Sequence, residues 1–108
     1  MNMIAFLNDG VRRTFSRGTV VMTAAVAALP EDKREQVLHR VQTFEEFTKD
    51  NDPHGEHDFG SFEFGGEHFF FKLDYYNKEL SAGSEDPADP EKTTRVLTIH
   101  VRLLSAST

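Results

Sequence analysis

The sequence predicts an α+β fold, a mostly antiparallel four-stranded sheet with two helices packed on one face. Three observations lead there. Two stretches carry apolar residues at helical spacing, the central segment "DFGSFEFGGEHFFFKLDYY" reads as a β-hairpin, and "RVLTIHVRLL" alternates strictly between two faces. With 108 residues the chain is expected to form a single domain over 1–108. By surface-to-volume scaling it buries roughly two-thirds of its unfolded surface, enough for one core.

In the first helix, "MIAFLNDGVRRTFS" sets Ile4, Leu7, Val11 and Phe15 near helical spacing, with Gly10 a weak interruption and Gly18 the expected stop. A β-branched run, "GTVVMTA", predicts a buried strand over about 19–24, inside the sheet. Pro30, Glu31 and Asp32 then mark a helix start, since proline suits the first turn and carboxylates favour the positive end of the helix dipole. Val37, Leu38, Val41, Phe44 and Phe47 extend the apolar stripe of that second helix, with Glu45 placed to pair with Lys49.

The hairpin follows from Gly65 and Gly66, which supply the positive φ angles of a two-residue turn. Register follows from the turn. Phe64 faces Glu67, Phe62 faces Phe69, Gly60 faces Phe71 and Asp58 faces Leu73, so Phe62, Phe64, Phe69, Phe71 and Leu73 share a core face. The other face pairs His57 with Asp74, Phe59 with Lys72, Ser61 with Phe70 and Glu63 with His68. Residues 77–94, rich in acidic, Pro, Gly and Ser residues, predict a long surface loop. In the last strand Leu97, Ile99, Val101 and Leu103 turn one way, and Val96, Thr98, His100 and Arg102 the other.

Composition narrows the function. The absence of cysteine excludes disulfides and thiolate metal sites and fits a cytoplasmic protein. The start of the chain has neither the basic flank of a signal peptide nor an apolar run long enough to span a membrane, so no membrane association is expected. The net charge is −6, and its acidity lies in the second half: residues 1–50 hold seven basic and seven acidic side chains, residues 51–108 five and eleven. Direct nucleic-acid binding is disfavoured, because that affinity rests on cations neutralising phosphates. A basic protein partner, or a nucleoprotein complex presenting one, is the complementary expectation.

"NDPHGEHDFGSFE", "FKLDYYN" and "DPADPEKTTRVLTI", with the upstream "LNDGVRRTF" and "GTVVMTAAVAALP", resemble a small bacterial family catalogued as a domain of unknown function. The resemblance covers nearly the whole chain and implies no activity, cofactor or catalytic residue. It implies cargo of plasmids, integrative elements and phages, often among anti-restriction genes. His100 and His68 depart from the family's pattern, whereas His57, Asp58, Lys72, Asp74 and Arg95 lie within the matching blocks.

Two functions from different classes emerge. The first is a non-enzymatic interaction protein, an anti-restriction or anti-CRISPR antagonist that binds a basic nucleic-acid-handling protein. Its contacts would be Glu85, Asp86, Asp89 and Glu91 in "SEDPADPE", with Phe59 and Phe70 as exposed anchors. The same aromatic face also suits a two-fold homodimer, since two helices leave the opposite side of the sheet uncovered. The alternative is a metal-assisted hydrolase or nuclease using His57, Asp58 and Asp74 with His54 in support, where a divalent ion could activate water. Against it stands a plainer structural reading: Gly55 makes a turn and His57 pairs with Asp74 across the hairpin. No serine sits in a nucleophile elbow and no cofactor is called for, so the balance favours a protein that is not an enzyme.

Overall fold

A computed structural model of the chain describes residues 2–102. Three helices and four strands follow in the order α1 (Met3–Thr14), β1 (Thr19–Met22), α2 (Ala24–Ala27), α3 (Glu31–Gln42), β2 (Phe59–Phe64), β3 (Glu67–Tyr76) and β4 (Thr94–Arg102). The fold is α+β with a four-stranded sheet, ordered β1-β4-β3-β2. The sheet is mixed rather than mostly antiparallel, because β1 runs parallel to β4, pairing Thr19 with Val96 and Met22 with Ile99.

The segment "TVVM" is also an edge strand, not an interior one. Only Val20 is half-buried, and Val21 and Met22 are exposed. The interior place goes to β4, whose Leu97 and Ile99 are fully buried. The chain leaves β1 through Thr23, whose amide donates to the Ile99 carbonyl at 3.1 Å, and turns at once into α2, where Val26 drops into the core.

The hairpin has the register its glycines demand. Gly65 and Gly66 adopt φ of 60° and 81°, and Phe64 pairs with Glu67, Phe62 with Phe69 and Gly60 with Phe71. Phe62, Phe69, Phe71 and Leu73 are buried and Phe64 packs beside them. They form one cluster with Leu97 and Ile99 of β4, Val11 of α1, Val26 of α2, and Val37 and Val41 of α3. Lys33 of α3 reaches the hairpin, 2.7 Å from Glu67, and the Arg40 guanidinium lies 4.7 Å from the Phe62 ring centroid.

Helix α3 starts where Pro30 predicts, with Glu31 and Asp32 in its first turn and His39 and Arg40 in its last, the arrangement its dipole favours. It ends earlier than the apolar stripe suggests. Beyond Gln42 the chain is irregular, so Glu45 lies 3.7 Å from Arg13 rather than one helical turn from Lys49. Phe44 and Phe47 still serve the core from this loop, edge-on to each other at 5.0 Å, and Phe44 meets Phe71 at 5.4 Å.

These rings explain Gly60. A Cβ there would lie 2.5 Å from the Phe71 ring and 2.7 Å from the Phe44 ring. Gly60→Ala should therefore destabilise the fold by about 1–3 kcal/mol through overpacking. Urea unfolding measures this, and a midpoint equal to wild type would show that the rings move aside freely.

Candidate functional site

Helix α1 builds the most concentrated polar chemistry in the fold. Asn2 caps it, its Oδ1 accepting from the amides of Ile4 and Ala5. The helix closes at Phe15 in a left-handed conformation, three residues before Gly18. Its buried residues are Ala5, Asn8, Val11 and Arg12. Two polar side chains thus enter the interior alongside Val11, and each has partners there.

The Arg12 guanidinium donates to Asp9 at 2.9 Å and to the carbonyls of Val41 and Gln42 at 3.0 and 3.2 Å, and it lies 5.3 Å and 5.7 Å from the Phe47 and Phe71 ring centroids. Only its Nε lacks a partner among the described residues. Asn8 donates to the Glu56 carbonyl at 3.0 Å and the Tyr75 hydroxyl at 2.8 Å, while its Oδ1 accepts from Arg95 Nε at 2.8 Å. Tyr75 donates in turn to the Glu56 carboxylate at 2.8 Å. Burial beside that carboxylate pushes the Tyr75 phenol above its ordinary range, which keeps it a donor.

His57 completes the group. Its positive φ of 57° turns the chain away from the sheet, and its Nδ1 lies 3.0 and 3.1 Å from the two oxygens of Asp9. Nε2 is 3.7 Å from Asp52, and the ring stacks on Phe47 at 4.1 Å, 3° from parallel. Asp52 also accepts from the amides of Glu56 and His57, which fixes the loop. The imidazole is held between two carboxylates and an aromatic ring, with Nδ1 hydrogen-bonded to Asp9 and Nε2 in looser electrostatic contact with Asp52. That surrounding fixes the orientation of a side chain that remains partly open to the cleft along α1.

The expected pairing of His57 with Asp74 does not occur. Cross-strand bonding ends with the Leu73 amide donating to the Asp58 carbonyl at 2.8 Å, and His57 then swings towards α1. Asp74 instead lies 3.5 Å from Lys72. The His54 carbonyl accepts from Asn2, and the Asp58 carboxyl is pushed above its ordinary range by burial, with Glu56 and Asp52 adding to the effect. His54, His57, Asp58 and Asp74 are thus not brought together. Among the described residues, no three His, Asp or Glu side chains are placed to hold a metal ion.

The sheet face opposite the core carries a continuous aromatic row. Phe59 and Phe70 lie 6.0 Å apart, as the hairpin register requires, and Phe70 stacks on His100 of β4 at 4.5 Å and 2°. Phe59 is 39% exposed and Tyr76 is exposed nearby on β3. His100 Nε2 is sealed from solvent without a partner among the described residues, and burial, with Lys72 close by, lowers the His100 pKa.

The acidic loop is more ordered than its composition suggests. Gly83 bridges to Tyr76, and the Ser84 amide donates to the Tyr75 carbonyl at 3.0 Å. Asp86 and Asp89 close local turns at the surface, accepting from the amides of Ala88 and Glu91 at 3.2 and 2.9 Å. Glu85 lies 3.5 Å from Lys92, and Glu91 is exposed. Of the four carboxylates expected to meet a partner, two therefore shape their own loop. Asn8, Arg12 and Tyr75, absent from the residues singled out by sequence, proved central. The signal for them was faint: polar side chains at positions 8 and 12 sharing a helix face with Val11.

Two predictions follow from this geometry. Asp9→Ala strands the buried Arg12 charge and should cost about 3–5 kcal/mol, whereas Asp74→Ala, at an exposed pair, should cost roughly 0–1 kcal/mol. Parallel urea titrations compare them, and equal losses would deny the Arg12–Asp9 pair its role. The second concerns pH. A histidine with a depressed native pKa resists the proton that the unfolded chain takes up near 6.5, so stability should fall as pH drops below that value. Melting curves between neutral pH and pH 5 should show a shallower decline for His100→Phe than for wild type; identical slopes would rule this out.

Comparison with known proteins adds one family. No curated protein and no solved structure matches the chain. A family model described as "Protein of unknown function (DUF3768)" matches residues 22–103, a span that takes in α2, α3 and strands β2 to β4 but leaves out α1. With most of its length inside that match, the chain belongs to the DUF3768 family.

Proposed function

We propose that the chain is a small acidic interaction protein, not an enzyme, that binds a basic nucleic-acid-handling protein through the open face of its sheet. The observation that carries this reading is the aromatic row Phe59–Phe70–His100 on the side away from the core, with Phe59 exposed and the other two rings partly so. The exposed Phe59 ring and the half-buried Phe70 ring, on the same face as Glu63 and Asp74, suit arginine side chains, which stack on rings and pair with carboxylates. The net charge of −6 would steer such a partner inward, with Glu85 and Glu91 at the loop adding to the attraction. The resemblance of the sequence blocks to cargo of plasmids, integrative elements and phages supports a restriction or CRISPR component as the partner. The clamped His57 and the dispersal of His54, Asp58 and Asp74 weaken the metal-dependent alternative.

Pull-down from a bacterial host lysate at low and high salt, with mass spectrometry of the captured proteins, tests the proposal. Wild type should retain a nucleic-acid-handling protein and Phe70→Glu should lose it. Glu85→Lys with Glu91→Lys should flatten the salt dependence. If Phe70→Glu captures the same protein as wild type, the face is not the binding surface. Light scattering on the same variants reads out self-association, and a wild-type dimer that Phe70→Glu dissociates would place a second copy on this face instead.

A further inference from the structure

A cleft of about 740 Å3 runs along α1 towards the start of β4 and the acidic loop. Its charge is opposite to that of the chain. Arg13, Arg17, Lys78 and Arg95 line it, against one carboxylate, Asp9, which is already paired with Arg12, His57 and Arg13. Arg13 also lies 3.7 Å from Glu45, so Arg17, Lys78 and Arg95 carry the excess charge.

Arg95 is the unusual member. It is 4% exposed, yet its partners are all neutral: Nε donates to Asn8, Nη2 donates to the Pro87 carbonyl, and the guanidinium lies 5.3 Å from the Tyr75 ring centroid. Among the described residues no carboxylate comes within ion-pairing distance of it, whereas the equally buried Arg12 has Asp9. The nearby Glu56 carboxylate is occupied by the Tyr75 hydroxyl. Burying a cation without a counterion is costly, and desolvation duly lowers the Arg95 pKa. Nη1 makes no hydrogen bond among the described residues and is not sealed off, so its two N–H groups are free to serve the cleft that Arg95 lines. Gly18 sits against the Arg95 carbonyl and Val11, and its neighbour Arg17 lines the same cleft.

We propose that this cleft binds the phosphoryl group of a small organic phosphate, with Arg95 as the buried anchor, Arg17 and Lys78 as its exposed flanks, and Phe6 and Leu7 against the apolar part of the ligand. A multiply charged phosphoryl group answers several converging cations better than a single carboxylate does. Because Arg95 already commits Nε and Nη2 to neutral partners, the remaining charge of the ligand must be met by the flanking side chains. The site lies on the helix side of the sheet and is independent of the aromatic face.

Isothermal titration calorimetry of the full chain at constant ionic strength tests this, with phenyl phosphate and inorganic phosphate as probes. Phenyl phosphate should bind saturably at one site and more tightly than inorganic phosphate. Arg17→Glu with Lys78→Glu, both at exposed positions, should weaken it by about tenfold or more. Arg95→Gln should abolish binding; if that variant does not fold, the double variant decides alone. Absence of saturable heat at millimolar phenyl phosphate would overturn the proposal, as would equal binding by wild type and the double variant. Equal affinity for the two probes would overturn the role given to Phe6 and Leu7.

Discussion

Everything in this fold turns on burying a charged helix face. Arg12 enters the interior fully, and that is tolerable only because Asp9, two carbonyls at the end of α3 and two aromatic rings receive it. The same Asp9 holds His57, and His57 with Asp52 fixes the loop that leads into β2. One helical turn away, Asn8 ties together the Glu56 carbonyl, Tyr75 of β3 and Arg95 of β4. A helix that contributes only Val11 to the apolar cluster is thus bound to three other regions by hydrogen bonds. Such a network is sensitive to loss of any member, since each removal strands a buried polar group.

The readable parts of the sequence were those governed by local rules. Gly65 and Gly66 dictate a turn, the turn dictates register, and register places Phe62, Phe69 and Phe71 inside and Phe59 and Phe70 outside. Alternation in β4 was equally plain. The parallel pairing of β1 with β4 was not, because a short β-branched run carries no mark of its partner or of its place in the sheet. Periodicity of apolar residues likewise has no way to register Asn8 and Arg12, whose burial depends on acceptors far along the chain. The His57–Asp74 expectation failed for a related reason: register was carried one residue past Asp58, to His57, whose positive φ turns the chain away from the sheet.

The two sides of the sheet are chemically unlike. On the helix side, polar groups are numerous and almost wholly paired within the chain, with Arg95 the exception in charge. On the opposite side, aromatic rings of three adjacent strands meet, Phe59 tilted on Phe70 and Phe70 stacked on His100. A protein organised in this way can present a flat recognition surface and a recessed charged cleft from opposite faces of one small sheet.

The parallel edge pairing has a consequence for how the molecule assembles. The hairpin of β2 and β3 closes over a two-residue turn, whereas β1 must wait for β4, which lies beyond the hairpin and the acidic loop. Closing so long a stretch carries an entropic cost that the hairpin avoids, and non-local pairing of this kind slows folding. During synthesis the "TVVM" segment of β1 is made before the hairpin and stays without its strand partner until β4 follows. Strand β4 is therefore the one that joins β1 to the hairpin, and until it is made the edge it will cover remains open to other chains.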